Sequence, residues 1–130
     1  MQMAVIEFAR NVLKIKNAGS SEFDKNCYPV IGLIEEWNKN GRKIKGTAKN
    51  LGGTMRLGVD KIFIEPDSMV YNLYKSTEIY ERHRHRYEIN PKYVELINNH
   101  NRDNPDRKFK LKFAGSDKTK TRMEILELGG

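Results

Sequence analysis

The spacing of apolar positions predicts three helices. Apolar residues recur every three or four positions over Met1–Leu13, which indicates a helix with one apolar face. A second, short helix is predicted over Asp67–Tyr74, with Asp67 or Ser68 as its N-terminal cap. A third begins at Pro91, because proline is favoured at the first helical position.

Other segments have the short apolar runs or the strict alternation that is typical of β-strands. Between them lie polar, turn-rich stretches at 17–29 and 98–107, a basic polar stretch at 37–51, and a turn at 115–117. Helices that alternate with strands indicate an α/β fold. The predicted strands are Val30–Ile34, Lys61–Ile64, Thr77–Tyr87, Phe109–Phe113 and Arg122–Leu128.

Composition narrows the class of protein. The 130 residues form one domain or a piece of one, and their mean hydropathy of -0.74 is that of a polar chain. No apolar run approaches the length that spans a bilayer, and the N-terminus does not resemble a signal peptide. One cysteine excludes an internal disulfide framework and fits a reducing compartment. A net charge of +7 favours anionic partners, either nucleotides or nucleic acid.

The stretch Glu81–Pro91 contains three arginines that alternate with two histidines. On a strand, Arg82, Arg84 and Arg86 would share one face, with the histidines and Tyr87 on the other. Three like charges on one face repel each other unless anions lie against them. The row therefore indicates either a solvated edge strand that deters unwanted pairing, or a site for carboxylate or phosphate, which arginine binds bidentately.

Two other kinds of site are not predicted. His83 and His85, with His100 in the remote polar loop, lack the number and spacing of ligands that a metal site needs. Cys27 lies in a loop with no partner base nearby in the sequence, so we expect a small packed residue and not a nucleophile.

Five segments together resemble the glutamine amidotransferase domain of the CTP synthase family, which is of class I with a catalytic triad. The most characteristic are the Gly-Gly-Thr-Met-Arg-Leu-Gly block at 52–58 and the Arg-His-Arg-His-Arg-Tyr-Glu block at 82–88. The resemblance covers residues 1–130 and identifies them as the central part of that domain. The other matching segments are Met1–Val12, Ser21–Asp24 and Met123–Leu128.

The resemblance implies an α/β fold with a central, mostly parallel sheet and added antiparallel strands, incomplete at both ends. It implies a lid-like loop at about 38–56, which is separate from the polar loop that composition predicts at about 98–107. We expect an exposed apolar face where further strands of the family's sheet belong, with marginal stability or dimerisation as the result.

Enzymes of this family make CTP from UTP with ATP and Mg²⁺, and their glutaminase domain releases ammonia from glutamine under stimulation by GTP. The nucleophilic cysteine and the His-Glu pair of the family are expected outside this chain, which should therefore be inactive alone. The parent enzyme is expected to be a cytoplasmic homotetramer with no membrane association.

The family's motifs assign roles to seven residues. Glutamine-binding positions pair a carboxylate with the amino group of the ligand and a guanidinium with its carboxylate. Positions linked to GTP activation or to the lid are expected among the basic residues. The glutamine-binding candidates are Met1, Gln2, Glu22 and Arg86, and the effector or lid candidates are Arg84, Arg56 and Lys45.

Two alternatives remain open at this point. The charge and the arginine row also fit a small basic nucleic-acid-binding protein, although aromatic residues are not interleaved with basic ones as base stacking requires. A degenerate, non-catalytic regulatory paralogue would keep the same internal motifs.

Overall fold

The computed structural model describes residues 1–33 and 56–129, which contain three helices and seven strands. None of the described helices has the length and apolar character needed to cross a membrane. The helices are α1 (Gln2–Asn11), α2 (Met69–Tyr74) and α3 (Pro91–Asp103). The strands are β1 (Ala18–Ser20), β2 (Tyr28–Gly32), β3 (Arg56–Ile64), β4 (Glu78–His85), β5 (Glu88–Ile89), β6 (Lys110–Ser116) and β7 (Met123–Gly129).

The strands form two sheets, one in the order β1-β2-β5 and one in the order β4-β3-β6-β7. Among the described strands, β1 and β2 form a parallel pair and the other pairings are antiparallel. The three-stranded sheet is therefore mixed and the four-stranded sheet is antiparallel, whereas the mostly parallel sheet is what the resemblance implies for the whole domain.

The main core lies between α1, α3 and strands of both sheets. Val5 and Ala9 of α1, Ile31 of β2, Ile89 of β5 and Ile97 of α3 are completely excluded from solvent. Their burial supplies the dominant favourable term in folding. A smaller apolar cluster of Ile62, Ile64 and Ile79 supports the four-stranded sheet.

Two helix starts are secured by side chains. Ser68 accepts a hydrogen bond from the Tyr71 N–H at 3.0 Å, so the cap of α2 is Ser68 and not Asp67. Asn90 caps α3 by accepting a hydrogen bond from the Lys92 N–H at 3.1 Å. Pro91 occupies the first turn of α3, as predicted.

Several element boundaries differ from the predictions. β1 lies inside the stretch that was expected to be only turns, and residues 98–103 of the expected polar loop are the end of α3. Gly115 and Ser116 belong to β6, since they pair with Ile125 and Met123 of β7. The polar stretch at 37–51 and the lid-like loop up to residue 55 lie outside the described residues.

The strand expected over Thr77–Tyr87 is divided between the sheets. β4 ends at His85, and β5 begins at Glu88 in the other sheet. Arg86 and Tyr87 form the connection, so Arg86 is not part of the strand face that carries Arg82 and Arg84. Alternation within β4 is confirmed, because Arg82 and Arg84 are exposed and His83 is buried.

An apolar groove of about 310 Å³ lies between α1 and the edge of the four-stranded sheet. Phe8, Val12 and Leu111 line it, and its rim includes the exposed side chains of Phe109 and Leu128. An exposed apolar surface was expected from the family resemblance. Its relation to further strands and to dimerisation stays a prediction.

Candidate functional site

The four residues Gln2, Glu22, Arg84 and Arg86 meet in one cavity of about 410 Å³. They come from four separate segments, which are the start of α1, the turn after β1, the end of β4 and the connection to β5. His85 and Tyr87 complete the described wall. The cavity lies beyond the carboxyl end of β1, the position where ligands bind in open α/β sheets.

Gln2 joins α1 to the connection between β4 and β5. Its Nε2 donates a hydrogen bond to the Tyr87 carbonyl at 2.7 Å. The side chain of Gln2 thereby holds the first turn of the helix beside Arg86 and Tyr87. Val5 and Ile6, on the next turn, are buried in the main core and fix the helix on the sheet.

A tight turn positions Glu22. The N–H groups of Phe23 and Asp24 both donate to the Ser20 carbonyl at 3.0 Å. The Glu22 N–H donates to the Ser20 hydroxyl at 3.3 Å. These bonds reverse the chain directly after β1 and leave the carboxylate of Glu22 exposed at the cavity.

Arg86 contributes a partly buried guanidinium to the cavity wall. Its Nε is removed from solvent, and no group among the residues that the structure describes accepts a hydrogen bond from it. Buried polar groups in folded proteins are normally paired, so this N–H calls for an acceptor from a ligand or from water. Arg84 adds a second guanidinium, and the wall therefore has two positive charges and one carboxylate besides His85.

Three predicted residues are not placed in this cavity. Met1 is the N-cap residue of α1 and is 41% exposed, but it is absent from the described wall. Arg56 begins β3 opposite His85, and its side chain lies outside the described part. Lys45 also lies outside the described residues.

Cys27 is not part of the described wall of the cavity. Its Sγ lies 3.1 Å from where a Cβ on Gly19 would be, which shows that it packs against β1. Burial raises the pKa of the Tyr93 hydroxyl, and the neighbouring Cys27 and Tyr28 raise that pKa further. That Cys27 is a small packed residue and not a nucleophile stays a prediction.

Sequence reasoning missed the partner of His83. His83 Nδ1 lies 3.1 Å from Glu124 Oε2, and the two side chains are 7% and 1% exposed. Glu124 is on β7, 41 positions along the chain, and no local pattern links it to His83. His85 and Tyr87, which were expected on the face opposite the arginines, line the cavity wall together with Arg84 and Arg86, because the strand ends at His85.

Comparison with known proteins identifies the family, although no family model matches the chain. A CTP synthase of Pelagibacter ubique is 63% identical over 90 residues, which are 69% of this chain and 17% of that protein. A CTP synthase of Buchnera aphidicola is 44% identical over 130 residues, which are 98% of this chain and 22% of that protein. This chain belongs to the CTP synthase family.

The solved glutaminase domain of Trypanosoma brucei CTP synthase, with bound acivicin, superposes with a TM-score of 0.70 at 31% identity. The match covers 98% of this chain and 44% of the solved chain. The fold is thus that of the glutaminase domain, and the predicted α/β class and family are confirmed. The chain spans about a fifth of the length of the curated CTP synthases that it matches.

Proposed function

We propose that this chain forms part of the glutaminase unit of a CTP synthase and that its cavity binds L-glutamine. The observation that carries the proposal is the buried Nε of Arg86, which lacks an acceptor among the described residues while its guanidinium lines the cavity. A ligand carboxylate would satisfy this N–H with a charge-assisted hydrogen bond.

The charges of the wall match those of an amino-acid head group. Arg86 offers the planar fork that binds a carboxylate bidentately, and Glu22 offers a carboxylate to an ammonium. Gln2 holds the connection that carries Arg86 through its bond to the Tyr87 carbonyl. Met1 is assigned a supporting role at the start of α1. The related solved domain was captured with acivicin, a glutamine analogue, which supports glutamine as the ligand.

In the whole enzyme, glutamine hydrolysis would supply ammonia for the ATP-dependent amination of UTP to CTP. The nucleophilic cysteine and its His-Glu pair would come from parts of the parent outside this chain, because the described wall contains no cysteine. ATP and Mg²⁺ are assigned to the synthase domain. Arg84, Arg56 and Lys45 are assigned to GTP activation and to the lid, in a cytoplasmic homotetramer.

The nucleic-acid-binding alternative finds no support, since the matches to CTP synthases extend over the whole chain. A degenerate regulatory paralogue differs from a working glutaminase in that it does not hydrolyse glutamine.

The decisive experiment measures ammonia release from glutamine, by this chain and by a form extended in the reading frame of its source gene. We expect release by the extended form alone.

The glutamine site itself is tested by calorimetry with L-glutamine. Arg86→Ala should weaken binding at least about 10-fold, because a charge-assisted hydrogen bond contributes roughly 1.5–3 kcal/mol. Arg82→Ala is the matched control, since Arg82 is exposed on the same segment and is not part of the described wall. Equal losses in the two variants would show that general positive charge, and not this cavity, binds the ligand.

A further inference from the structure

A second cluster of chemically reactive side chains lies beside the cavity. His83, His85 and Glu124 each place one potential metal-ligand atom within 4.8 Å of the others. The side chains of His83 and Glu124 are almost completely removed from solvent. His85 is partly buried and also lines the cavity. The three side chains therefore extend from the buried His83–Glu124 pair to His85 in the cavity wall.

The fold holds these donors from two directions. His83 and His85 are alternate residues of β4 and so project from one face, with ring centroids 5.7 Å apart. Glu124 comes from β7 and reaches His83 Nδ1 at 3.1 Å. Arg82 and Arg84 alternate with these histidines along β4 and are exposed to solvent, and Arg84 also lines the cavity.

Two imidazole nitrogens and one carboxylate oxygen form a recognised donor set for zinc and for other divalent transition metals. Zinc bonds of about 2.0–2.2 Å in a tetrahedron would place the donors roughly 3.4 Å apart. The His83–Glu124 pair is already at 3.1 Å, and the largest separation is 4.8 Å at most. Small side-chain movements, including one of the partly exposed His85, would bring the three donors to the separations that a zinc ion needs.

We propose that His83, His85 and Glu124 bind one divalent transition-metal ion, Zn²⁺ being the expected one. The proposal is independent of glutamine binding. A bound ion would connect β4 to β7 and would hold the end of β4, from which Arg84 and Arg86 enter the cavity. Three protein ligands leave the fourth coordination position of a tetrahedral ion open to water, as in catalytic zinc sites.

The experiment is calorimetric titration of the metal-free chain with Zn²⁺ alone. We expect one ion per chain, and His85→Asn should weaken binding at least about 10-fold, because it removes a ligand. His100→Asn and Cys27→Ser are the matched controls. With three histidines and one cysteine in the sequence, they remove the other imidazole and the thiol, and neither should change the affinity.

His85 is chosen for substitution because loss of His83 or Glu124 alone would leave a buried partner uncompensated and could unfold the chain. A measurement on the unsubstituted chain adds a second readout. The ring ¹⁵N resonances of His83 and His85 should shift on addition of Zn²⁺, and those of His100 should not. No saturable binding, full binding by His85→Asn, or loss of binding in either control would overturn the proposal.

Discussion

At the scale of single residues, Gly115 of β6 lies in closely packed surroundings that leave no room for a side chain. A Cβ there would lie 3.0 Å from side-chain carbons of both Ile125 and Ile62. Gly115→Ala should lower the free energy of unfolding by about 1–3 kcal/mol, because an extra methyl group in a filled core forces its neighbours to move. Urea denaturation followed by circular dichroism measures the change.

Gly129→Ala provides the control for this substitution. Gly129 lies at the end of β7, and apart from its chain neighbours no atom of the described residues lies within 4 Å of the Cβ that alanine would add. The free energy of unfolding should be unchanged or slightly higher. If the two variants lose stability equally, the cost comes from the strand backbone and not from contact with Ile125 and Ile62.

Asp117 makes stability depend on pH in the turn between β6 and β7. Burial raises the pKa of its carboxyl, but hydrogen bonds from the Arg122 N–H, the Thr119 hydroxyl and the Thr121 N–H outweigh burial and lower that pKa below its usual value of 3.8. A lowered folded-state pKa stabilises the fold above pH 3.8, and this contribution is lost as the pH falls through the folded-state pKa.

Asp117→Asn should therefore destabilise the chain by about 1 kcal/mol at pH 7, and the difference from the unsubstituted chain should shrink as the pH falls below about 4. Denaturation curves at a series of pH values measure both. A difference that stays constant down to pH 2 would assign the effect to turn geometry and not to the charge.

At the scale of elements, Asn90 connects α3 to the three-stranded sheet. Its Oδ1 caps the helix, and its Nδ2 donates to the Pro29 carbonyl at 3.1 Å. Asn90→Ala should cost about 2 kcal/mol, roughly half from the lost cap and half from the buried carbonyl. Asn90→Ser retains a capping oxygen but is too short to reach Pro29, so it should recover about half of the loss.

Thermal and urea denaturation of both variants test this division. Recovery of the full stability by serine would show that the bond to Pro29 contributes nothing. Asn90 is bonded to Pro29 of β2, β2 pairs with β5, and β5 begins two residues after Arg86. We therefore also expect Asn90→Ala to weaken glutamine binding, but by less than Arg86→Ala does.

At the scale of the whole molecule, the two sheets differ in how much core supports them. Ile31 and Ile89, paired in the three-stranded sheet, are completely buried. At the far end of β3, Leu57 and Val59 are 71% and 59% exposed although they pair with β4. Regions with few buried apolar contacts open locally at a lower free energy than the core.

Amide hydrogen exchange should reflect this difference. The amides of Leu57 and Val59 should exchange on the order of 100-fold faster than that of Ile31. Ile62 is the internal control, because it lies on the same strand but is 1% exposed and should exchange slowly. Equal protection of the amides along β3 from exchange would show that the β3–β4 pair and the core open as one unit.

The sequence by itself determined what depends on neighbouring residues. Apolar spacing predicted α1, Pro91 predicted the start of α3, and alternation predicted that His83 would lie on the face opposite Arg82 and Arg84. The family motifs indicated Gln2, Glu22, Arg84 and Arg86 before any geometry was known. Such features follow from the fixed periods of helix and strand, which act over a few residues.

The tertiary structure decided what depends on pairing between distant segments. It placed Arg86 on a connection between two sheets, brought Glu124 of β7 against His83 of β4, and placed Gly115 in a strand and not in a turn. These contacts depend on register and on the division of strands between sheets. No local period encodes either, because both are selected by the burial of the whole core.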